Sequence, residues 1–160
     1  MKAICLSDIH GNDVKYRKLC GYIKQTLPDA VFIAGDVLPN YYVTEPLEFI
    51  DDTLKPLLSD LKEEMKQAYP DIFLITGNDD AAVSCEHLRY LELKGLIHFA
   101  NKLVMDQKGY TVLGYPYVPP TPFLLKDWEK YDVSRYLPRD TVSPEDGIRT
   151  VDVPANIKKY

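Results

Sequence analysis

Three short breaks in the sequence carry side chains of the kind that hold divalent metals. Asp8 and His10 lie in LSDIHGN, Asp36 in AGDV, and Asn78, Asp79 and Asp80 in TGNDD. Carboxylate, imidazole and amide oxygen together suit hard or borderline ions such as Mn²⁺, Fe²⁺ or Zn²⁺. No cysteine stands in any break, which argues against a structural zinc site. The two oxygens of Asp36 can bridge a pair of ions. Two such ions would activate water at neutral pH and neutralise the charge of a phosphate.

These breaks need a scaffold that brings them together. Each follows a short apolar run: Ala3–Leu6, Ala30–Ala34 and Ile72–Ile75. Continuous apolar runs are expected of parallel strands covered on both faces. Between them lie helical patterns. Asn12 or Asp13 can cap a helix carrying Tyr16, Leu19, Cys20, Ile23 and Leu27. A second pattern runs from Pro46 to Ala68, with Pro56 expected to kink or split it. A third helix is expected over 81–93, with Gly95 just past its end. Strand and helix alternating three times imply an α/β fold with a mostly parallel sheet and flanking helices. Ligands in such sheets sit beyond the carboxyl ends of the strands, where all three breaks fall. Glycines at 11, 35 and 77 permit the sharp exits.

Leu96–Phe99 reads as a further strand. The runs Lys102–Met105 and Tyr110–Leu113 flank Asp106-Gln107-Lys108-Gly109 as a hairpin would. From Tyr115 onward the pattern is lost, and seven of the twelve prolines lie between Pro116 and Pro154. The expectation is one domain over 1–160, with a Pro-rich loop region at 115–160 inside it. The aromatics Tyr115, Tyr117, Phe123 and Trp128 there either wall a pocket or anchor that loop to the core, with anchoring favoured.

At 160 residues the chain can bury a core, and a net charge of -5 argues against a broad nucleic-acid or anionic-membrane surface. No stretch has the length of a signal or membrane segment. Three unpaired cysteines, Cys5, Cys20 and Cys85, fit reduced thiols in a cytoplasmic protein, with Cys5 packed inside a strand. His87 and His98 read as structural, and the acidic helix around Glu63 and Glu64 as a solvated face.

The motifs Ser7-Asp8-Ile9-His10-Gly11-Asn12, Gly35-Asp36-Val37 and Gly77-Asn78-Asp79-Asp80, in that order, resemble the first three motifs of the calcineurin-like metallophosphoesterases. The likeness spans roughly residues 1 to 113, and GYPYVPPTPFLLKDWEKYD is similar to an uncharacterised bacterial branch of that family. The resemblance implies an αββα sandwich and metal-dependent hydrolysis of a small-molecule phosphoester at a dinuclear centre. By it, Asp8 and His10 would hold the first ion, Asp36 would bridge, and Asn78 would hold the second. Asn12 would stand behind the first motif. Asp79 would take the general-acid position, oriented by Asp80.

Two departures from that family matter. Position 79 is Asp where the common motif has His. A carboxyl group beside dications is a poorer proton donor than an imidazolium, while the like charge of Asp80 next door pushes the other way. Loss of the histidine favours phosphodiesters or other activated esters. The family also uses three later histidines, and this chain has none after His98. The expectation is an amino-terminal part whose carboxy-terminal half is missing, with three protein ligands for the first ion and two for the second. The rival is a non-catalytic interaction module on the same scaffold, as one retromer subunit of the family is. An incomplete sandwich would leave sheet surface for self-association or a partner. A Rossmann-like nucleotide binder lacks its G-x-G-x-x-G turn.

Overall fold

A computed structural model describes residues 1–42, 45–107 and 109–151. Strands β1 (Ala3–Leu6), β2 (Ala30–Ala34), β3 (Asp71–Ile75) and β4 (His98–Phe99) form one parallel sheet in that order. Leu6 stands opposite Ile33, and Ile33 opposite Leu74. The carboxyl ends of three neighbouring strands are therefore level, and the three breaks emerge side by side.

Helix α1 (Asp13–Thr26) starts at Asn12, whose side chain accepts from the Lys15 N–H at 3.0 Å. This satisfies one of the orphan donors of the first turn. Its buried stripe is Tyr16, Leu19, Cys20 and Ile23. The pattern over 46–68 becomes α2 (Pro46–Phe49), a π-turn over Ile50–Leu54, and α3 (Lys55–Met65) ending in a 3₁₀ turn. Pro56 sits at the start of α3, and the wider π-turn immediately before it is where the helical pattern changes. A 3₁₀ turn over Ala82–Ser84 leads into α4 (Cys85–Leu93). Gly95 follows α4 with a positive φ of 67°.

Helix stripes and one sheet face share a single core. It contains Ile23, Leu54, Leu58, Leu61, Leu88 and Leu91 from the helices, with Val31, Ile33, Ile72 and Leu74 from β2 and β3. Burying each such side chain contributes about 1.5–3 kcal/mol. On the other face Phe32 stacks on Phe73 with centroids 5.1 Å apart, and the His98 ring stacks on Phe73 at 4.9 Å. The antiparallel hairpin β5 (Val104–Gln107) and β6 (Tyr110–Leu113) lies near this face. An apolar cleft lined by Phe32, Phe73, Tyr110 and Val112 separates them. Lys108, in the expected turn, lies outside the described residues.

One expectation is corrected at β1. It is an edge strand, not a strand covered on both faces: Ala3 and Cys5 are exposed, while Ile4 and Leu6 are half-buried against the core. Among the described residues no strand lies beyond it, and Cys5 is not packed inside.

Between residues 115 and 151 the chain is held by polar contacts more than by regular structure. Isolated bridges join Val118 to Glu129 and Leu125 to Ile148. Lys126 and Glu129 form a fully buried ion pair at 2.5 Å, and Thr121 bonds to both. Asp127 accepts from the N–H of Ala82 at 2.7 Å and of Thr150 at 2.9 Å. Trp128 is buried, whereas Tyr115 and Phe123 are exposed. Of the expected loop region at 115–160, residues 152–160 lie outside the described residues. Among those described, no helix is long and apolar enough to cross a membrane.

Candidate metal centre

The first two breaks are stitched together by a backbone ladder that continues past the sheet. Asp8 N–H donates to Gly35 O at 3.2 Å, His10 N–H to Asp36 O at 2.8 Å, and Gly11 N–H to Val37 O at 3.0 Å. To make these bonds the chain turns left-handed at Asp8, His10 and Asp36, with φ of 58°, 51° and 49°. Asp and His tolerate this region better than branched or bulky residues do. The sequence thus places residues able to bind metal where the backbone also needs them.

As a result, Asp8, His10 and Asp36 each offer a ligand atom within 4.8 Å of the others. Among the described residues no lysine or arginine pairs with the carboxylate of Asp8 or Asp36. The nearby Lys15 ammonium instead donates to the backbone O of Asp8 at 2.8 Å. Ser7 Oγ donates to the Asp8 carboxylate. Burial raises the pKa of Asp36, helped by the charges of Asp79 and Asp8 and opposed by the Asp79 N–H and by His10. Two unneutralised carboxylates facing an imidazole are a donor set that a divalent cation fits.

The third break closes on the same carboxylate. The Asp79 N–H donates to Asp36 Oδ1 at 2.9 Å. Gly77 passes so close that a Cβ there would lie 2.3 Å from Asp36 Oδ1 and 2.4 Å from Asp36 N. It crosses Gly35, whose φ is 91° and whose own Cβ would meet Gly77 Cα at 2.9 Å. Only glycines allow this crossing. Asn78, between two residues that touch Asp36, is half-buried, and its amide has no hydrogen-bond partner among the described residues. Asn12 is engaged in capping α1.

Asp79 and Asp80 face different surroundings. Asp79 Oδ2 lies 3.3 Å from His10 Nδ1, and its Oδ1 accepts from Asn40 Nδ2 at 2.9 Å. Asp80 is wholly buried. Its carboxylate accepts from Gly77 N–H at 2.8 Å, Leu38 N–H at 2.8 Å and Val37 N–H at 3.0 Å. Asp80 therefore clamps the loop after β3 to the loop after β2. Burial pushes its carboxyl up to about 7 against the opposing pull of those N–H groups.

Four supporting residues are tied to the site by contacts that the sequence pattern does not show. Asn40 holds Asp79. Asn101 accepts from Thr76 N–H at 2.9 Å and donates to Thr76 Oγ1 at 2.7 Å, fixing the start of the third break. Trp128 Nε1 donates to Asp80 O at 2.7 Å, tying the Pro-rich segment beneath the site. Tyr16 OH donates to Val37 O at 2.9 Å. The Pro39-Asn40 pair just after Gly35-Asp36 was a visible turn signal; the other three depend on long-range packing.

The family model for calcineurin-like phosphoesterases matches residues 1–155. One solved structure is 17% identical with a TM-score of 0.46, over 68% of this chain and 49% of its own length. This chain therefore spans about half the length of that structure. A search of curated proteins gives no match.

Proposed function

Because this chain belongs to the calcineurin-like phosphoesterases, we propose that it builds the first part of a centre hydrolysing phosphoesters with divalent metal. The observation that carries this reading is the convergence of Asp8, His10 and Asp36 on one point without a neutralising lysine or arginine among the described residues. Asp8 and His10 would hold one ion, Asp36 would bridge, and Asn78 would serve the second. When bound, such ions lower the pKa of water and offset the charge of a phosphoryl group. The chain's own contribution is rigid placement: the backbone ladder fixes Asp8 and His10 against Asp36, and Asp80 fixes the loop that carries Asn78. A phosphodiester or other activated small-molecule ester is the favoured substrate, since no histidine stands at position 79 to protonate a poor leaving group.

The test is hydrolysis of bis-p-nitrophenyl phosphate with added Mn²⁺, alongside calorimetric titration of the metal. Asp36→Asn should abolish turnover and weaken metal binding at least tenfold, by analogy with loss of a key supporting contact. Turnover retained in that variant would remove the bridging role. Turnover only in a longer chain that adds the family's later histidines would support the hydrolytic reading. Metal binding with no turnover in either form would favour the non-catalytic module, a reading supported by the exposed apolar residues Leu103, Val104, Tyr110 and Leu113 around the hairpin.

A further inference from the structure

The contacts of Asp79 point away from proton donation. One oxygen accepts from the Asn40 amide at 2.9 Å, the other stands 3.3 Å from His10 Nδ1, and the backbone N–H is engaged by Asp36. Asn40 is itself anchored, its Oδ1 accepting from Tyr42 N–H at 3.0 Å, so its Nδ2 is presented to Asp79 in a fixed direction. The amide assignment follows from the two contacts together: one faces a donor and the other an acceptor.

We propose that Asp79, held by Asn40, is a positioning residue that sets the ring orientation and tautomer of His10. A carboxylate beside Nδ1 favours the proton on that nitrogen and leaves the lone pair on Nε2. Neutral imidazole can ligate a metal through only the unprotonated nitrogen. Carboxylate partners of this kind hold metal-ligating histidines, and their loss weakens binding about 10–100-fold. Within this site Asn40 orients Asp79, Asp79 orients His10, and His10 meets the carboxylates of Asp8 and Asp36. This rests on reading His10 as a metal ligand, but its first test needs neither metal nor turnover.

The two other histidines supply internal controls. His87 Nδ1 lies 3.4 Å from Asp51, and His98 Nε2 lies 3.2 Å from Asp71. The experiment is long-range ¹H–¹⁵N correlation of the imidazoles in the metal-free, full 160-residue chain, at a pH well above the ordinary histidine range. The expected spectrum shows His10 protonated at Nδ1 and His98 at Nε2. In Asp79→Ala, His10 should move to the Nε2–H form while His98 stays unchanged. Asp79→Asn, which keeps an acceptor oxygen, should retain much of the Nδ1–H form. Asn40→Ala should fall between Asp79→Ala and the parent. Titration with Zn²⁺ should follow the same order, with about a 10–100-fold loss in Asp79→Ala.

An unchanged His10 tautomer in Asp79→Ala overturns the proposal, whether or not metal binding falls. If metal binding is lost without a tautomer change, Asp79 is itself a ligand. Asn40→Ala matching the parent in both readouts overturns the part assigned to Asn40. Absence of hydrolysis leaves the tautomer result standing and counts against the hydrolytic reading alone. Asp79→Ala is accepted only if Trp128 fluorescence matches the parent; otherwise Asp79→Asn against Asn40→Ala decides.

Discussion

Replacing Asp80 by alanine leaves three backbone donors, Val37, Leu38 and Gly77, without an acceptor at a site with no solvent exposure. An unsatisfied buried donor costs about 1–3 kcal/mol. Partial relaxation lowers the sum, and the removed side-chain volume raises it, so the expected loss is about 3–5 kcal/mol. Against a typical domain stability of about 5–15 kcal/mol, that loss is large. Trp128 is the only tryptophan, is buried, and donates its indole N–H to Asp80 O, so urea unfolding followed by its fluorescence reads this region directly. A loss under about 1 kcal/mol would refute the clamp, because fewer than one donor would then have depended on it. The pH dependence has a definite sign. The folded carboxyl is pushed from its ordinary 3.8 up to about 7, so across that window the folded state keeps a proton that the unfolded chain has released. Stability should therefore fall as pH rises between about 4 and about 7 and level off above. Asp80→Asn cannot titrate, and the difference between the two urea midpoints across pH isolates this group. A difference that does not shrink as pH rises would contradict the assignment.

Two other substitutions test the surroundings. Gly77→Ala forces a Cβ into the Asp36 carboxylate and backbone N, so it should destabilise the fold by about 1–3 kcal/mol and weaken Mn²⁺ binding, measured by urea unfolding and calorimetry. Lys126→Met leaves Glu129 buried without its cation and should cost about 3–5 kcal/mol by urea unfolding. Adding Glu129→Gln should recover part of that loss, whereas additive losses would argue that the pair is not coupled.

The parts of this protein visible in its sequence are those governed by local pattern. Ala30–Ala34 and the run ending at Ile75 are apolar because they are central strands. The breaks that follow them are conspicuous because Asp36 and Asn78 interrupt those runs beside glycines. Pro56 announced a change in the helix, though not that a π-turn would absorb it. What remained hidden depends on contacts distant in sequence. Asp80 looked like a partner for its neighbour at 79, but its oxygens reach across to Val37 and Leu38. Lys126, Asp127 and Glu129 look like surface charges in a Pro-rich loop, yet all three are buried, Lys126 and Glu129 as an ion pair and Asp127 as an acceptor for backbone N–H groups. Periodicity carries no trace of polar packing of this kind. The exposure of Cys5 was missed because an apolar run does not reveal whether its strand lies at the edge.

The ladder from Asp8 to Gly11 makes the two loops behave as a rigid prolongation of the sheet. An arriving cation meets a finished socket and has little chain to organise. Its uptake should leave amide exchange at His10 and Gly11 slow before and after, and the socket's dimensions would then discriminate among ions by ionic radius.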